Sequence, residues 1–288
     1  LSLSEITGIL YAFLRIVPIV SGMATMYNTF KNSEPSFENI NELILDKDKS
    51  LFKEKTNNIK RKKIKDIDEI VFNNVSYQFP NGNYGLKHIN FNLNQDKKIG
   101  IKGPSGSGKS TFINLIIGLF NPTEGSVFVN KINLKEIKID EYLSKISYVD
   151  NKNFLMPSTL RENLLWLSCK ESLSDEEIQK VLKITNSLDF VENLPNGLDT
   201  PLSEGGSVLS EGQKQRICLS GALLKKPKIF IIDEGFSHLD RENVEKICNN
   251  FLNIENVMMV VVSHDKIVLD KIERVLEIEN GKLLNKLN

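Results

Sequence analysis

Three short stretches of the chain carry side chains whose types and spacing suit work on a polyphosphate. The first is Gly103-Pro104-Ser105-Gly106-Ser107-Gly108-Lys109-Ser110-Thr111, which meets the full P-loop spacing of a glycine, four residues and Gly-Lys-Ser. Glycines let such a loop turn successive backbone N–H groups inward, and a helix starting at its end adds the positive end of its dipole, so the main chain does most of the holding. Lys109 would then reach the β- and γ-phosphates and Ser110 would ligate magnesium. The plain alternative, a glycine-rich turn that binds nothing, is disfavoured by the complete spacing and by the apolar runs on both sides.

The second stretch, Lys228-Ile229-Phe230-Ile231-Ile232-Asp233-Glu234, ends an apolar run on two carboxylates. Alone, such a pair is more often a turn. Behind a phosphate loop, Asp233 fits the acid that positions magnesium, and Glu234 fits the general base that polarises the attacking water. The third is His264, one of three histidines. A lone histidine is ordinarily structural, and this one gains a role at the γ-phosphate only from its company.

These side chains need a frame, and the chain supplies its pattern from Ile67 onward. The runs 70–77, 98–101, 146–149, 228–232 and 257–262 read as strands, several of them solidly apolar. They alternate with helical patterns at 110–119 and 212–224, which predicts an α/β fold with a mostly parallel sheet covered on both faces. An antiparallel β portion is expected before Lys98.

With 288 residues, 40% hydrophobic and 26% charged, the chain can bury one good-sized core with a small element beside it. Thirty-seven basic residues balance thirty-seven acidic ones, so no global field argues for nucleic acid as a partner. Cys169, Cys218 and Cys248 form no CxxC pair and are expected to be buried thiols. Before Ile67 lie a polar stretch to Asp46 and a basic run at 47–66 that reads as a linker, with Lys60, Arg61, Lys62, Lys63 and Lys65 clustered in it. The apolar stretch 6–26, interrupted by Arg15 and Pro18, lacks the order of a signal peptide and is just long enough to span a bilayer. An amphipathic soluble helix is the alternative.

Between the phosphate loop and the carboxylates stands Val208-Leu209-Ser210-Glu211-Gly212-Gln213-Lys214-Gln215-Arg216, and with it residues 67–288 resemble the ATPase domain of ABC transporters. The resemblance holds in order: Phe79 at the adenine-stacking position, the P-loop, a Q-loop region at 148–154, the signature within 208–216, Asp233-Glu234, a D-loop at 237–240 and the switch His264. It implies a P-loop NTPase fold of ABC type, with an antiparallel β subdomain and a helical subdomain beside the core sheet. It also implies that ATP and Mg2+ bind, with Phe79 and the loop residues Gly103, Ser105, Gly106, Ser107, Gly108, Lys109, Ser110 and Thr111 on the nucleotide. Ser110, Asn151 and Asp233 would hold the metal, and Glu234, His264 and Asn151 would serve catalysis.

In that family two such domains pack head to tail, so Ser210, Gly212 and Gln213 would serve the nucleotide bound by a second ABC ATPase domain. Residues 1–46 look like the end of a last transmembrane helix and its cytoplasmic extension, in an exporter that fuses membrane and ATPase domains. That layout implies a place at the cell's inner membrane, with the ATPase domain on the cytoplasmic side. Tyr11-Ala12-Phe13-Leu14-Arg15-Ile16-Val17-Pro18 is similar to the matching stretch in flippases of lipid-linked oligosaccharides.

The chain also departs from the pattern. Asn151 stands where glutamine is usual, Glu211 replaces a signature glycine, His238 replaces the small D-loop residue and Gly221 stands where arginine is common. Hydrolysis is expected because Lys109, Asp233, Glu234 and His264 are all present. A catalytically weak subunit of a heterodimer and a soluble ABC ATPase are the alternatives.

Overall fold

The computed structural model describes residues 15, 16, 31, 61–203 and 208–284. The chain divides into two units, Leu1–Asn58 and Ile59–Asn288, and the second holds the fold described below. Most of the expected membrane-helix end and most of the basic run lie outside the described residues. Among the described residues, no helix is long and apolar enough to cross a membrane.

The second unit opens with a hairpin of β1 (Glu69–Gln78) and β2 (Tyr84–Asn94), followed by β3 (Lys98–Lys102) and α1 (Lys109–Ile117). Next come β4 (Glu124–Val129), β5 (Ile132–Asn133), α2 (Ile139–Leu143) and β6 (Ile146–Val149). Three helices, α3 (Leu160–Ser168), α4 (Asp175–Ile184) and α5 (Leu188–Glu192), lead to the longer α6 (Glu211–Leu224). The chain then runs through β7 (Ile229–Asp233), α7 (Arg241–Leu252), β8 (Met258–Val262), α8 (Lys266–Leu269), β9 (Arg274–Glu279) and β10 (Lys282–Leu284).

These strands make two sheets. A six-stranded sheet has the order β10-β9-β3-β8-β7-β6 and is parallel except at β10. A four-stranded sheet, β2-β1-β4-β5, is antiparallel throughout. The antiparallel part therefore extends beyond the segment before Lys98. It takes in β4, whose Val127 and Val129 alternate inward, a pattern too short to stand out in the sequence.

Alternation along the central strands places a core on each face of the parallel sheet. Ile229 and Ile231 of β7, with Met258, Val260 and Val262 of β8, join a cluster that includes Phe72, Phe91 and Phe112. Phe230, Ile232, Met259 and Val261 point the other way, into a cluster with Leu160, Leu164, Ile217 and Phe251 from the helices. Full burial of such side chains is worth about 1.5–3 kcal/mol each, so burial on both faces explains why β7 and β8 read as unbroken apolar runs.

The described end of the basic run is docked on the fold. Lys62 N donates to Glu136 O at 2.7 Å, Lys138 N donates to Lys62 O at 3.1 Å, and Ile64 and Ile67 are buried. Cys218 and Cys248 are buried as expected, whereas Cys169 is exposed. It caps the C-terminus of α3 with a left-handed backbone, φ 54°, a position at the helix end where the side chain faces solvent.

Candidate functional site

The phosphate loop links the end of β3 to the start of α1, where a parallel strand delivers the chain to a helix N-terminus. Its glycines are required by geometry. Gly108, the N-cap of α1, has φ 113°, and a Cβ there would stand 2.4 Å from Gly85 O. Gly103 has φ 154°, and a Cβ would meet Ile278 O at 2.1 Å. At Gly106, φ 73°, a Cβ would meet nothing within 4 Å, so this side of the loop is open. Lys109 Nζ donates to Gly103 O at 2.7 Å and to Pro104 O at 2.9 Å, which holds its ammonium across the loop. Ser107 Oγ is buried without a hydrogen-bond partner.

Asp233 and Glu234 leave the end of β7 in different directions. Glu234 has φ 55°, a left-handed conformation costly for a side chain with a Cβ, and its N–H donates to Val262 O at 2.9 Å. That turn sends the two carboxylates to opposite neighbours. Asp233 Oδ2 accepts from Tyr148 Oη at 3.1 Å on the β6 side, while Glu234 Oε1 lies 3.5 Å from His264 Nε2 after β8. Burial, above all, pushes the Asp233 carboxyl upward from its ordinary value, with Glu234 and Asp150 adding to it and the Tyr148 hydrogen bond opposing it. The Tyr148 phenol is pushed up by burial and then by Asp233.

One cleft of about 700 Å³ gathers Phe79, Ser105, Gly106, Gly108, Lys109, Ser110, Thr111, Asn151, Asp233 and Glu234. Gly103 and His264 line an adjoining hollow. Phe79 is set at the cleft by an aromatic cluster: its ring meets Tyr77 edge-on at 5.1 Å, and Tyr77 stacks on Phe120 at 4.7 Å. Gly85 completes that end, since a Cβ there would lie 2.9 Å from both Phe79 Cε2 and the Thr111 side chain. Asn81, Asn83, Tyr84 and Gly85, outside every motif named above, also line the cleft, as do Tyr148 and Asp150 from the 148–154 region. They arrive through the β1–β2 hairpin and the end of β6, and the only local signal was the place of Tyr148 and Asp150 in that region.

Ser210, Gly212 and Gln213 do not line this cleft. They form the start of α6, where Ser210 Oγ accepts from Gln213 N at 3.3 Å and Gln213 Oε1 accepts from Ser210 N at 2.8 Å, a reciprocal capping box. Gly212 lies against the D-loop, and a Cβ would meet His238 O at 2.9 Å. Glu211 pairs with Lys214 Nζ at 2.7 Å, and that bond holds its carboxyl below the usual range. The acid is therefore locally compensated.

Ser110, Asn151 and Asp233 offer hard oxygen donors with no thiol or imidazole among them, which fits magnesium. Among the described residues, no group of three or more His, Cys, Asp or Glu could hold a metal ion. A site of so few protein ligands suits an ion that keeps water and substrate phosphates in its shell.

A phosphate loop between a parallel strand and a helix, faced by an acid at the end of the next strand but one, defines a P-loop nucleotide-binding domain. The chain belongs to the ABC transporter family, whose pattern residues 86–237 match, and as an ATPase domain of that family it binds nucleotide. It is 34% identical over 220 residues to the ATP-dependent lipid A-core flippase of Desulfotalea psychrophila, covering 75% of this chain and 38% of that protein. It is 33% identical over 210 residues to the lactococcin-A transport/processing ATP-binding protein LcnC of Lactococcus lactis, covering 73% and 29%. The chain thus spans less than half the length of these relatives. A solved structure of a bacterial Atm1-family ABC exporter with ATP bound shares the fold, with a TM-score of 0.71 at 24% identity over 77% of this chain and 39% of that one.

Proposed function

We propose that this chain is the ATP-hydrolysing part of an exporter at the cell's inner membrane, working on the cytoplasmic side to move a lipid, lipid-linked glycan or peptide outward. The observation that carries the reading is the convergence of Lys109, Ser110, Asp233 and Glu234 on one cleft, with His264 3.5 Å from Glu234. Relatives named as a lipid A-core flippase and as a lactococcin-A transport/processing protein support the transport part.

In this reading the base of ATP stacks on Phe79, and the loop N–H groups and Lys109 take the phosphates. Ser110, Asn151 and Asp233 hold Mg2+, which when bound neutralises charge developing on the transferred phosphoryl group. Glu234 orients water and accepts its proton as the oxygen attacks the γ-phosphorus, and ADP leaves with the bridging oxygen. His264, fixed beside Glu234, faces the γ-end. Ser210, Gly212 and Gln213 stand outside this cleft and serve the nucleotide of a second ABC ATPase domain packed head to tail. Tighter binding of ATP to the closed pair than to the open one then drives the membrane part between orientations.

Magnesium-dependent hydrolysis by the reconstituted full-length protein tests the reading, beside Glu234→Gln. We expect turnover to fall at least a hundredfold in the variant, with ATP binding and ATP-stabilised dimers retained. Equal turnover in both proteins would remove Glu234 from its role. A second reading, an ATP-binding member of an unequal pair, is favoured by Asn151 and Glu211; ATP binding without turnover in the unaltered protein would select it.

A further inference from the structure

Strands β6 and β7 run parallel with Tyr148 opposite Ile231. Asp233 lies two residues beyond Ile231, about 6.6 Å along the strand, a distance that a tyrosine leaning along its strand spans. The phenol ends 3.1 Å from Asp233 Oδ2. Tyr148 is 45% exposed and forms part of the cleft wall together with Asp150, Asp233 and Glu234. Lys109 is the one cationic side chain among the described residues of that wall, and its ammonium is engaged by the carbonyls of Gly103 and Pro104. A half-buried carboxylate with acidic neighbours thus takes its hydrogen bond from a phenol that occupies the space beside it.

We propose that Tyr148 is a positioning residue whose phenol, hydrogen-bonded to Asp233 from within the cleft, competes with a divalent cation for that carboxylate and so sets a threshold for metal binding. The inference rests on the reading of Asp233 as the metal-positioning acid. A phenol held behind the carboxylate would strengthen metal binding by fixing the ligand. One standing in the cleft competes with the metal for the same carboxylate.

The test uses Mn2+ as probe, titrated into the full-length protein with a non-hydrolysable ATP analogue and followed by electron paramagnetic resonance. Tyr148→Phe keeps the ring and removes the hydroxyl. Loss of a hydrogen bond to a carboxylate is expected to tighten Mn2+ about three- to tenfold. Affinity for the analogue in EDTA should remain unchanged within about twofold. Mn2+ affinity that is equal or weaker in the variant overturns the proposal. If neither protein binds the analogue in EDTA, the assignment of the cleft to nucleotide fails instead, and the two failures are told apart by that metal-free measurement.

Discussion

Asn151 is the residue at which the chemistry of this cleft departs most from what the family resemblance implies. It is exposed and lines the cleft with Ser110 and Asp233, so its type can change without disturbing a packed core. Glutamine would carry the same amide one methylene further. Misplacement of a polar group by about 1 Å can cost a hundredfold in rate, and restoring the reach should recover part of that. We expect Asn151→Gln to raise kcat about tenfold with little change in the KM for ATP. A kcat that is unchanged or lower would mean that the shorter side chain already reaches its target. At this scale much of the site was legible: Lys109, Ser110, Asp233 and Glu234 are identified by type and spacing because phosphate and metal admit few substitutes. Tyr84 was not legible as a cleft residue, since what brings it there is a hairpin, and for Tyr148 only its place in the 148–154 region was legible, not the strand pairing that sets it beside Asp233.

Secondary-structure elements were legible in proportion to how much of each is buried. Strands β3, β6, β7 and β8 read as apolar runs, whereas β2 alternates buried and exposed positions and carries Asn90, Asn92 and Asn94 on its outer side. Helices α3 and α4 turn short apolar stripes, Leu160, Leu164 and Leu167 and then Ile178, Val181 and Leu182, to the core, and the Thr159–Glu162 capping box at the start of α3 was a further readable start signal. Gly221 is a departure that packing explains. It lies in α6 where α3 crosses, and a Cβ would stand 2.3 Å from Leu167 Cβ, an atom fixed by its own backbone. An arginine at this position has no room in this chain. For Gly221→Ala, the gain in helix propensity, about 1 kcal/mol, opposes overpacking of about 1–3 kcal/mol. Because α3 must move as a body to relieve the contact, overpacking wins. Thermal denaturation should show Tm lowered by several degrees; a Tm that rises would show that the two helices separate at little cost.

Across the whole molecule, carboxylates are tied to cations or helix-start N–H groups, some of them distant in the chain, and their protonation sets how the fold responds to acid. Asp66 is lowered chiefly by its hydrogen bond to Lys228 at the head of β7. Glu177 of α4 is lowered chiefly by Lys226, Asp199 by Arg161, Glu211 by Lys214 and Asp240 by the Asn243 backbone. A carboxyl depressed in the fold contributes stability that is fully present above its unfolded pKa, about 4. That stability is lost as the pH falls through the folded value. Asp233 has the opposite sign: burial raises it, so its charge costs stability at neutral pH and protonation relieves that cost as the pH falls toward about 4. Five depressed groups, the five carboxyls just named, outweigh one raised group, although their exposure to solvent keeps each small. Tm is therefore expected to be flat or slightly rising from pH 7 to about pH 5, then to fall steadily below about pH 4. Asp233→Asn should remove the slight rise and leave the fall, while Asp199→Asn should make the fall shallower. A Tm that drops between pH 7 and pH 5 would overturn this account, because none of the five depressed carboxyls loses its charge in that window.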